Sequence, residues 1–384
     1  MSDHQRHSGI DWMRFVCMLT IVLYHIQGHG GLIATPRISA INSILIIAFQ
    51  SVFQAAVNGY ALISGYVGHT SRFKYASFAV LWLRVLVYSV GITAAVWLIS
   101  PSSVSRMEIR NAFFPLLTGQ YWYFTAYAGC FMLMPLLRPA ISHLSRKAAG
   151  LYLGVALFVF SILPYLLRND PFLTSQGNHA LWLMLLYLVG AYIREHNPFE
   201  RCSMRKLLIL FAAASAIQMS AGYILQQISS LVTGEKTTIW YFVCHDSPTV
   251  VVLSILLLAI FAKIRVPIHH PAFRMLALSS FSVYLIHDHP LIRRCVIKPL
   301  GAHLASLPSV WVIPAVLASG LSIYLLCSLV DMLRDFVFRI LRIQSHLSNL
   351  ENKLLRSMDI DTPCRPWNPY TDSANQPSEA ASRP

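Results

Sequence analysis

The sequence is poor in charge. Only 12% of its 384 residues are Asp, Glu, Lys or Arg, whereas 55% are hydrophobic. Soluble domains carry charge on about a quarter of their residues. This shortage, with a mean hydropathy of +0.55, excludes an ordinary soluble protein.

Several motifs that identify common classes of protein are also missing from the sequence. Its seven cysteines include no CxxC pair, so no disulfide framework is indicated. It has no glycine-rich phosphate-binding loop, no metal-ligand spacing, no GxSxG nucleophile elbow and no nucleic-acid motif. We therefore expect neither a metal ion nor a nucleic-acid partner.

Long apolar runs are abundant by contrast. About 20 predominantly apolar residues can cross a bilayer as a helix. We predict ten such spans, at residues 10–29, 42–67, 76–100, 118–137, 149–167, 180–194, 207–226, 246–262, 275–292 and 309–330. The predicted fold class is all-α, a polytopic integral membrane protein with about ten transmembrane helices. Nine or eleven helices remain open, because the second span is long and the sixth is short.

The basic residues are distributed unevenly between the predicted loops. The formal net charge is +14, and most of the 30 Lys and Arg residues fall in the two terminal segments and in alternate loops. Positive charge is retained on the cytoplasmic side of a membrane. Both termini are therefore predicted to be cytoplasmic, with anionic lipid headgroups as the partners of the basic loops. The first span lacks a small-residue cleavage pattern, so we expect it to be a retained helix.

The chain divides into three predicted regions. Residues 1–330 form the ten-helix transmembrane domain. Residues 331–358 have apolar residues at helical intervals with basic residues between them, which predicts a cytoplasmic amphipathic helix at the membrane surface. Residues 359–384 are rich in Pro, Ser, Asn and Asp, a composition that predicts a disordered tail.

Charged residues inside apolar spans are the strongest functional signal, because a charge at membrane depth costs at least ~2.5 kcal/mol. In the first span, Arg14 and His25 are eleven residues apart, so they project from one helix face about 16 Å from each other. Asp11 lies one turn before Arg14 and can pair with it. This face would suit a substrate with a phosphate-bearing end and a distant reactive end. A snorkelling anchor at Arg14 and a structural polar residue at His25 are the alternatives.

Further polar groups lie at comparable depths. Arg84, about eight residues into the third span, could form a phosphate clamp with Arg14, or could be an interfacial anchor. His287 and the segment CHDSP at 244–248, which contains Ser247, lie toward the predicted outer ends of their helices. Polar groups gathered at the outer helix ends suggest a site for a hydroxyl-rich or aqueous acceptor. An ordinary belt of polar and aromatic residues at the membrane interface would also place some of them there.

The segment NGYALISGYVG at 58–68 contains four small residues in an otherwise apolar helix. Small residues allow two helices to approach closely. Close helix packing is therefore the predicted role of Gly59, Ser64, Gly65 and Gly68.

Four segments together resemble the type-3 membrane acyltransferases, which O-acylate bacterial glycans. They are IDWMRFVCMLTIVLYH with its R-x10-H spacing, NGYALISGY, QYWYFTAYAGCFMLMPLLRP and SFSVYLIH, spread over about residues 8–330. The resemblance implies a ten-helix core in the bacterial inner membrane. It also implies transfer of an acyl group, usually acetyl, from cytoplasmic acyl-CoA to a hydroxyl of an extracytoplasmic or lipid-linked glycan.

The resemblance also implies roles for individual residues. His25 and Arg14 match the family's catalytic pair, and we expect His25 to act as the base, with Asp11 orienting Arg14. Family members often have R-x-x-R in the third helix, whereas here Leu81 occupies the first position. The predicted contacts to the phosphates of acetyl-CoA, the acyl donor and co-substrate, are Arg14, Arg84, Lys74 and Arg72. The predicted acceptor contacts are His287, Tyr284, Trp122 and Ser247.

Two other classes of protein remain open at this point. A transporter or exporter of a glycan or acylated metabolite could use Arg14, Arg84 and His287 to line a pathway, although we detect no inverted repeat. A hydrophobic scaffold subunit is the third possibility. The sequence does not identify the acceptor among surface polysaccharide, O-antigen, exopolysaccharide and lipid-linked sugars.

Overall fold

A computed structural model of the chain describes residues 7–32, 39–71, 73–167, 169–233, 244–265 and 271–358, and all regular structure in these ranges is helical. The first half contains α1 (Ser8–Gly28), α2 (Ala40–Phe53), α3 (Ala55–Gly68), α4 (Tyr75–Ile99), α5 (Arg106–Phe113), α6 (Trp122–Ser142), α7 (Arg146–Leu157) and α8 (Leu163–Leu167). The second half contains α9 (Ala180–His196), α10 (Met204–Thr233), α11 (Pro248–Lys263), α12 (Pro271–His287), α13 (Pro290–Ile292), α14 (Lys298–Ala305), α15 (Ser309–Ile340) and α16 (Ile343–Ser357). The π-helical turns Phe158–Ile162 and Arg293–Ile297 join α7 to α8 and α13 to α14.

Seven helical runs within the described residues are long and apolar enough to cross a membrane. They are Ser8–Gly28, Ile41–Gly68, Tyr75–Ile99, Trp122–Ser142, Arg146–Leu167, Met204–Ala221 and Ser309–Ile340. Pro248–Lys263 and Phe273–His287 are shorter apolar helices. These findings confirm an all-helical, multi-pass membrane protein. The count of ten spans and the orientation of the termini stay predictions.

Helix α1 lies at the centre of the bundle. It packs against α3, α11, α12 and α15, and its side chains Met13, Cys17, Val22 and Ile26 are fully buried. Leucines on the outer surfaces are exposed instead, including Leu98 on α4, Leu136 on α6 and Leu151 on α7. Exposed apolar surface of this kind is expected where helices face lipid.

Glycines bring α3 and α9 into backbone contact. A Cβ atom on Gly65 would lie 1.9 Å from the carbonyl oxygen of Tyr187, and one on Gly190 would lie 2.1 Å from that of Leu62. Both distances are far below van der Waals contact, so neither position can carry a side chain without separating the helices. The close packing predicted from the small residues of 58–68 is confirmed at Gly65.

The C-terminal part of the chain packs back onto the bundle. Helix α15 continues past residue 330 to Ile340, and α16 follows it, so the predicted segment 331–358 comprises the end of α15 and all of α16. The carboxylate of Glu351 on α16 accepts hydrogen bonds from the backbone N–H groups of Tyr75 (2.7 Å) and Ala76 (3.2 Å). It thereby caps the first turn of α4, where free N–H groups favour an anion. The predicted tail, 359–384, lies outside the described residues.

Candidate functional site

A stripe of side chains along α1 forms one wall of a cavity inside the bundle. Met18, Ile21 and His25 are spaced by three and four residues, as one face of a helix requires, and all three line this cavity. Arg14 continues the same stripe one turn earlier. The predicted spacing therefore places Arg14 and His25 on one helix face, and the part of that face from Met18 to His25 lines the cavity.

The other walls of the cavity come from α3, α6 and α12. Their lining residues are Val57, Tyr60, Trp122, Tyr123, Phe281 and Tyr284, and the cavity between them and α1 has a volume of about 40 Å³. Trp122 and Tyr284, two of the predicted acceptor contacts, thus lie in the same cavity as His25. The lining is largely aromatic, and its polar atoms are the imidazole of His25, the Trp122 indole nitrogen and three tyrosine hydroxyls.

At one end of the cavity His25 contacts the end of α12. The Nδ1 atom of His25 lies 3.0 Å from Nε2 of His287 and 3.1 Å from Oδ1 of Asp288. His287, the last residue of α12, and Asp288, which follows it, are each only 1% exposed. The predicted site residue His287 is therefore a direct neighbour of His25.

The hydrogen positions on these two rings follow from the surrounding acceptors. Nδ1 of His287 lies 2.6 Å from the carbonyl oxygen of Val283, which can only accept, so Nδ1 carries the hydrogen. Nε2 of neutral His287 is then an acceptor, and the Nδ1–H of His25 donates toward it and Asp288. In this assignment Nε2 of neutral His25 has a free lone pair. A ring in this state can accept a proton from a substrate.

Asp288 has a second strong partner. Arg293 donates from Nε to Oδ1 at 2.8 Å and from Nη2 to Oδ2 at 2.7 Å, a bidentate ion pair. The imidazole of His29 lies 3.6 Å from the same carboxylate. The buried negative charge is therefore matched by a guanidinium, and the carboxylate is held in a fixed position beside His25.

His25, His287 and Asp288 are also the residues that could hold a metal ion. One donor atom from each lies within 4.8 Å of the others. However, both oxygens of Asp288 already bind Arg293, and the two imidazoles satisfy each other through one hydrogen. These contacts are those of a hydrogen-bonded relay.

At the other end of the stripe, Arg14 forms the predicted pair with Asp11. Their Nη1 and Oδ1 atoms are 2.8 Å apart, and the Asp11 side chain is buried while 26% of that of Arg14 is exposed. The hydroxyl of Tyr60 donates to the backbone carbonyl of Arg14 at 2.7 Å. Because Tyr60 lines the cavity, this bond joins the cavity wall to the turn that carries Arg14.

The second predicted phosphate contact, Arg84, faces the end of α15. Its charged neighbours are Arg334 and Asp331, and its Nε atom is buried with no hydrogen-bond partner among the described residues. Asp331 pairs with Arg334 and accepts a hydrogen bond from Tyr88 at 2.7 Å. A guanidinium with an unused donor beside a second arginine can bind an anion.

The structure describes two of the three remaining predicted contacts, Lys74 and Ser247. Lys74 is exposed at the start of α4, where Glu351 caps the helix. Arg72 lies outside the described residues. Ser247 is buried, with its hydroxyl 3.3 Å from that of Thr249, and it does not belong to the cavity lining described above.

A carboxylate pair lies close to Ser247. The hydroxyl oxygen of Thr174 is 2.9 Å from both Asp170 Oδ1 and Asp246 Oδ2. Burial, together with the negative charge of Asp170, raises the pKa of Asp246 from 3.8 to about 6. One hydroxyl hydrogen cannot satisfy both carboxylates, so the arrangement is complete when Asp246 carries a proton.

The sequence alone predicts no role for Asp288, Arg293, Tyr60 or Tyr123. A signal exists for Asp288, because a carboxylate beside His287 at the end of an apolar helix is costly unless it has partners. Arg293 follows five residues later and supplies one. Nothing in the spacing of Tyr60 or Tyr123 indicates that they meet at one cavity.

The bundle and its cavity define a class of protein, namely a multi-pass membrane protein with an imidazole that lines a cavity between its helices. The chain belongs to the type-3 acyltransferase family, since the family's acyltransferase domain matches residues 7–329. The resemblance seen in the sequence is thus confirmed, and the protein is a membrane acyltransferase. Family membership does not favour the transporter alternative. No curated protein and no solved structure shows significant similarity to the chain.

Proposed function

We propose that the protein transfers an acyl group, acetyl in the first instance, from cytoplasmic acyl-CoA to a hydroxyl group of an extracytoplasmic or lipid-linked glycan. The observation that carries this proposal is the state of His25. Its Nδ1–H is bound by His287 and Asp288, while the ring lines the cavity with a lone pair left on Nε2. Acyl transfer to a hydroxyl needs a base of this kind.

His25 performs the proton transfers of the reaction. Nε2 removes the proton of the acceptor hydroxyl as its oxygen attacks the thioester carbonyl carbon, and a C–O bond forms. The C–S bond then breaks, and His25 returns the proton to the departing thiolate. Asp288 stabilises the imidazolium that exists between these two steps, because its charge lies next to Nδ1–H.

Arginines at the other end of the α1 stripe bind the phosphates of the donor. Arg14 is partly exposed and is held by Asp11, and Arg84 has an unused donor group. Lys74 and Arg72 are further candidate contacts. In the predicted orientation, with ten spans and both termini in the cytoplasm, these cations lie on the inner side of the bacterial inner membrane, and acyl-CoA enters there.

The acceptor approaches from the opposite end. Trp122, which lines the cavity, stacks on His245 with a ring separation of 5.5 Å and an interplanar angle of 18°. Aromatic faces of this kind offer an apolar surface with polar edges, which suits a sugar ring. We therefore assign Trp122 to the acceptor side, and we assign His287 to the positioning of His25.

The test is an acylation assay on the purified protein in lipid nanodiscs, with acetyl-CoA labelled in the acetyl group and the host's surface glycans as acceptors. His25→Ala should lower transfer by at least about 100-fold, and His303→Ala, at an exposed histidine of α14, should not change it. Transfer that persists in His25→Ala would reject the proposal. Glycan flux through proteoliposomes without acylation would indicate a transporter.

A further inference from the structure

Two tyrosine hydroxyls in the cavity donate to no acceptor among the described residues. They belong to Tyr123 on α6 and Tyr284 on α12, and both hydroxyl oxygens are buried. The Tyr284 residue as a whole is 6% exposed, and its ring centroid lies 6.4 Å from that of Tyr123. A buried hydroxyl without a partner costs free energy, so such groups usually serve a ligand.

The neighbouring tyrosines do not share this property. Tyr60 donates to the carbonyl of Arg14 at 2.7 Å, Tyr121 to that of Leu285 at 3.0 Å and Tyr324 to that of Leu276 at 2.8 Å. The bundle therefore provides acceptors for tyrosines around the cavity and leaves two donors inside it unused. The contrast indicates that a ligand atom supplies the missing acceptor.

The start of α6 adds positive potential at the same place. The helix begins at Trp122, and its first turn has no side-chain cap. Trp122 and Tyr123, its first two residues, line the cavity. The first N–H groups of a helix carry partial positive charge, so this end of α6 favours negative charge next to the two hydroxyls.

We infer that Tyr123 and Tyr284 donate hydrogen bonds to the carbonyl oxygen of the acyl donor and stabilise the oxyanion that forms there. This inference rests on the proposed function and names the chemical group that the cavity receives, a thioester carbonyl. As the acceptor oxygen attacks the carbonyl carbon, the C=O electron pair moves onto oxygen, where both hydroxyls bind it. The pair returns when the C–S bond breaks. Donors fixed in place before the reaction are the main means of lowering such a barrier.

Isosteric variants test the inference by kinetics. Tyr123→Phe and Tyr284→Phe should each lower kcat by about 100-fold with little change in KM, because the bond strengthens as negative charge develops. Tyr187→Phe is the matched control, since its buried hydroxyl lies beside Gly68, away from the cavity lining. It should leave kcat unchanged.

Infrared spectroscopy supplies a second measurement. Acetyl-CoA with a 13C-labelled carbonyl is bound to His25→Ala protein, in which the thioester survives, and its C=O stretch should move to lower frequency. Adding both Tyr→Phe changes should return the band to its value in solution.

The outcomes separate the inference from the proposed function. Normal transfer by the wild type with unchanged kcat in both tyrosine variants would overturn the role of the hydroxyls alone. His25→Ala protein that binds the donor with no carbonyl shift would overturn it equally. A folded wild type that transfers no acyl group to any glycan would overturn both.

Discussion

His25 on α1 and His287 on α12 are 262 residues apart in the sequence, yet their Nδ1 and Nε2 atoms lie 3.0 Å from each other. Val283 fixes the hydrogen on the far nitrogen of His287, and this leaves the facing nitrogen as an acceptor. The contact therefore determines which nitrogen of His25 is free, and the first predictions concern this relay.

Replacing Asp288 with Asn should lower kcat by about 100-fold or more, because the amide gives less stabilisation to a charged His25 and can favour the wrong tautomer. KM should change little, since Asp288 does not line the cavity described above. The measurement is steady-state acylation, with 15N NMR of labelled histidine to show which nitrogen carries the hydrogen. A lowered kcat with the tautomer and the pH profile unchanged would contradict a positioning role.

Removal of metal ions should not affect activity. His25, His287 and Asp288 could hold a metal, but their hydrogen bonds and the Arg293 ion pair already satisfy them. We expect equal acylation rates after dialysis against a strong chelator and after addition of Zn²⁺. Loss of activity on chelation, with recovery on adding metal, would reassign the three residues as ligands.

Gly65→Ala should destabilise the bundle by about 1–3 kcal/mol or more, because the new methyl group would meet the backbone of Tyr187. Gly91→Ala is the matched control. A Cβ there has no neighbour within 4 Å, and alanine favours the helix by up to about 1 kcal/mol. Thermal unfolding in detergent should show a lower Tm for the first variant and an equal or higher Tm for the second. An unchanged Tm for Gly65→Ala would disprove the backbone contact.

Stability should depend on pH through Asp246. Its pKa is raised to about 6 in the folded state by burial and by the charge of Asp170, whereas the unfolded chain titrates near 3.8. The folded protein thus holds the proton more tightly, so this stabilisation is complete below pH of about 4 and is lost as the pH rises to about 6. Asparagine has no proton to lose, so Asp246→Asn should abolish this decrease in stability with rising pH. Above pH of about 6 the variant should be more stable than the wild type by on the order of 2 kcal/mol. The check is the difference in Tm between variant and wild type across this range, which should increase with pH.

The sequence predicts what is local to one helix. The face shared by Arg14 and His25 and the Asp11–Arg14 pair follow from helix geometry, and the structure has both. The helical membrane class follows from the apolar runs, which are a property of composition. Gly65 predicts close helix packing, and the structure confirms it. The sequence does not show that the contacting helix is α9, where Gly190 makes the matching contact.

Contacts between distant segments could not be predicted in the same way. The sequence predicts His287 as a contact for the acceptor. Its position next to His25 depends on how α12 packs against α1, which the sequence of neither helix shows. The sequence shows Arg84 as a charge inside an apolar span, but its neighbours Asp331 and Arg334 lie in a segment predicted to be a separate surface helix. The helix that contains them is the continuation of the last span, and Asp331 is joined to α4 by the hydrogen bond from Tyr88.

The glycine seam between α3 and α9 restricts how the cavity could be altered. Val57 and Tyr60 lie on α3, whose backbone contacts that of α9. Helix α3 therefore cannot move outward to make room for a larger acyl group. Met18 and Ile21 on the opposite wall can be shortened without disturbing that seam. Redesign toward longer fatty acyl donors would therefore begin with smaller residues at those two positions.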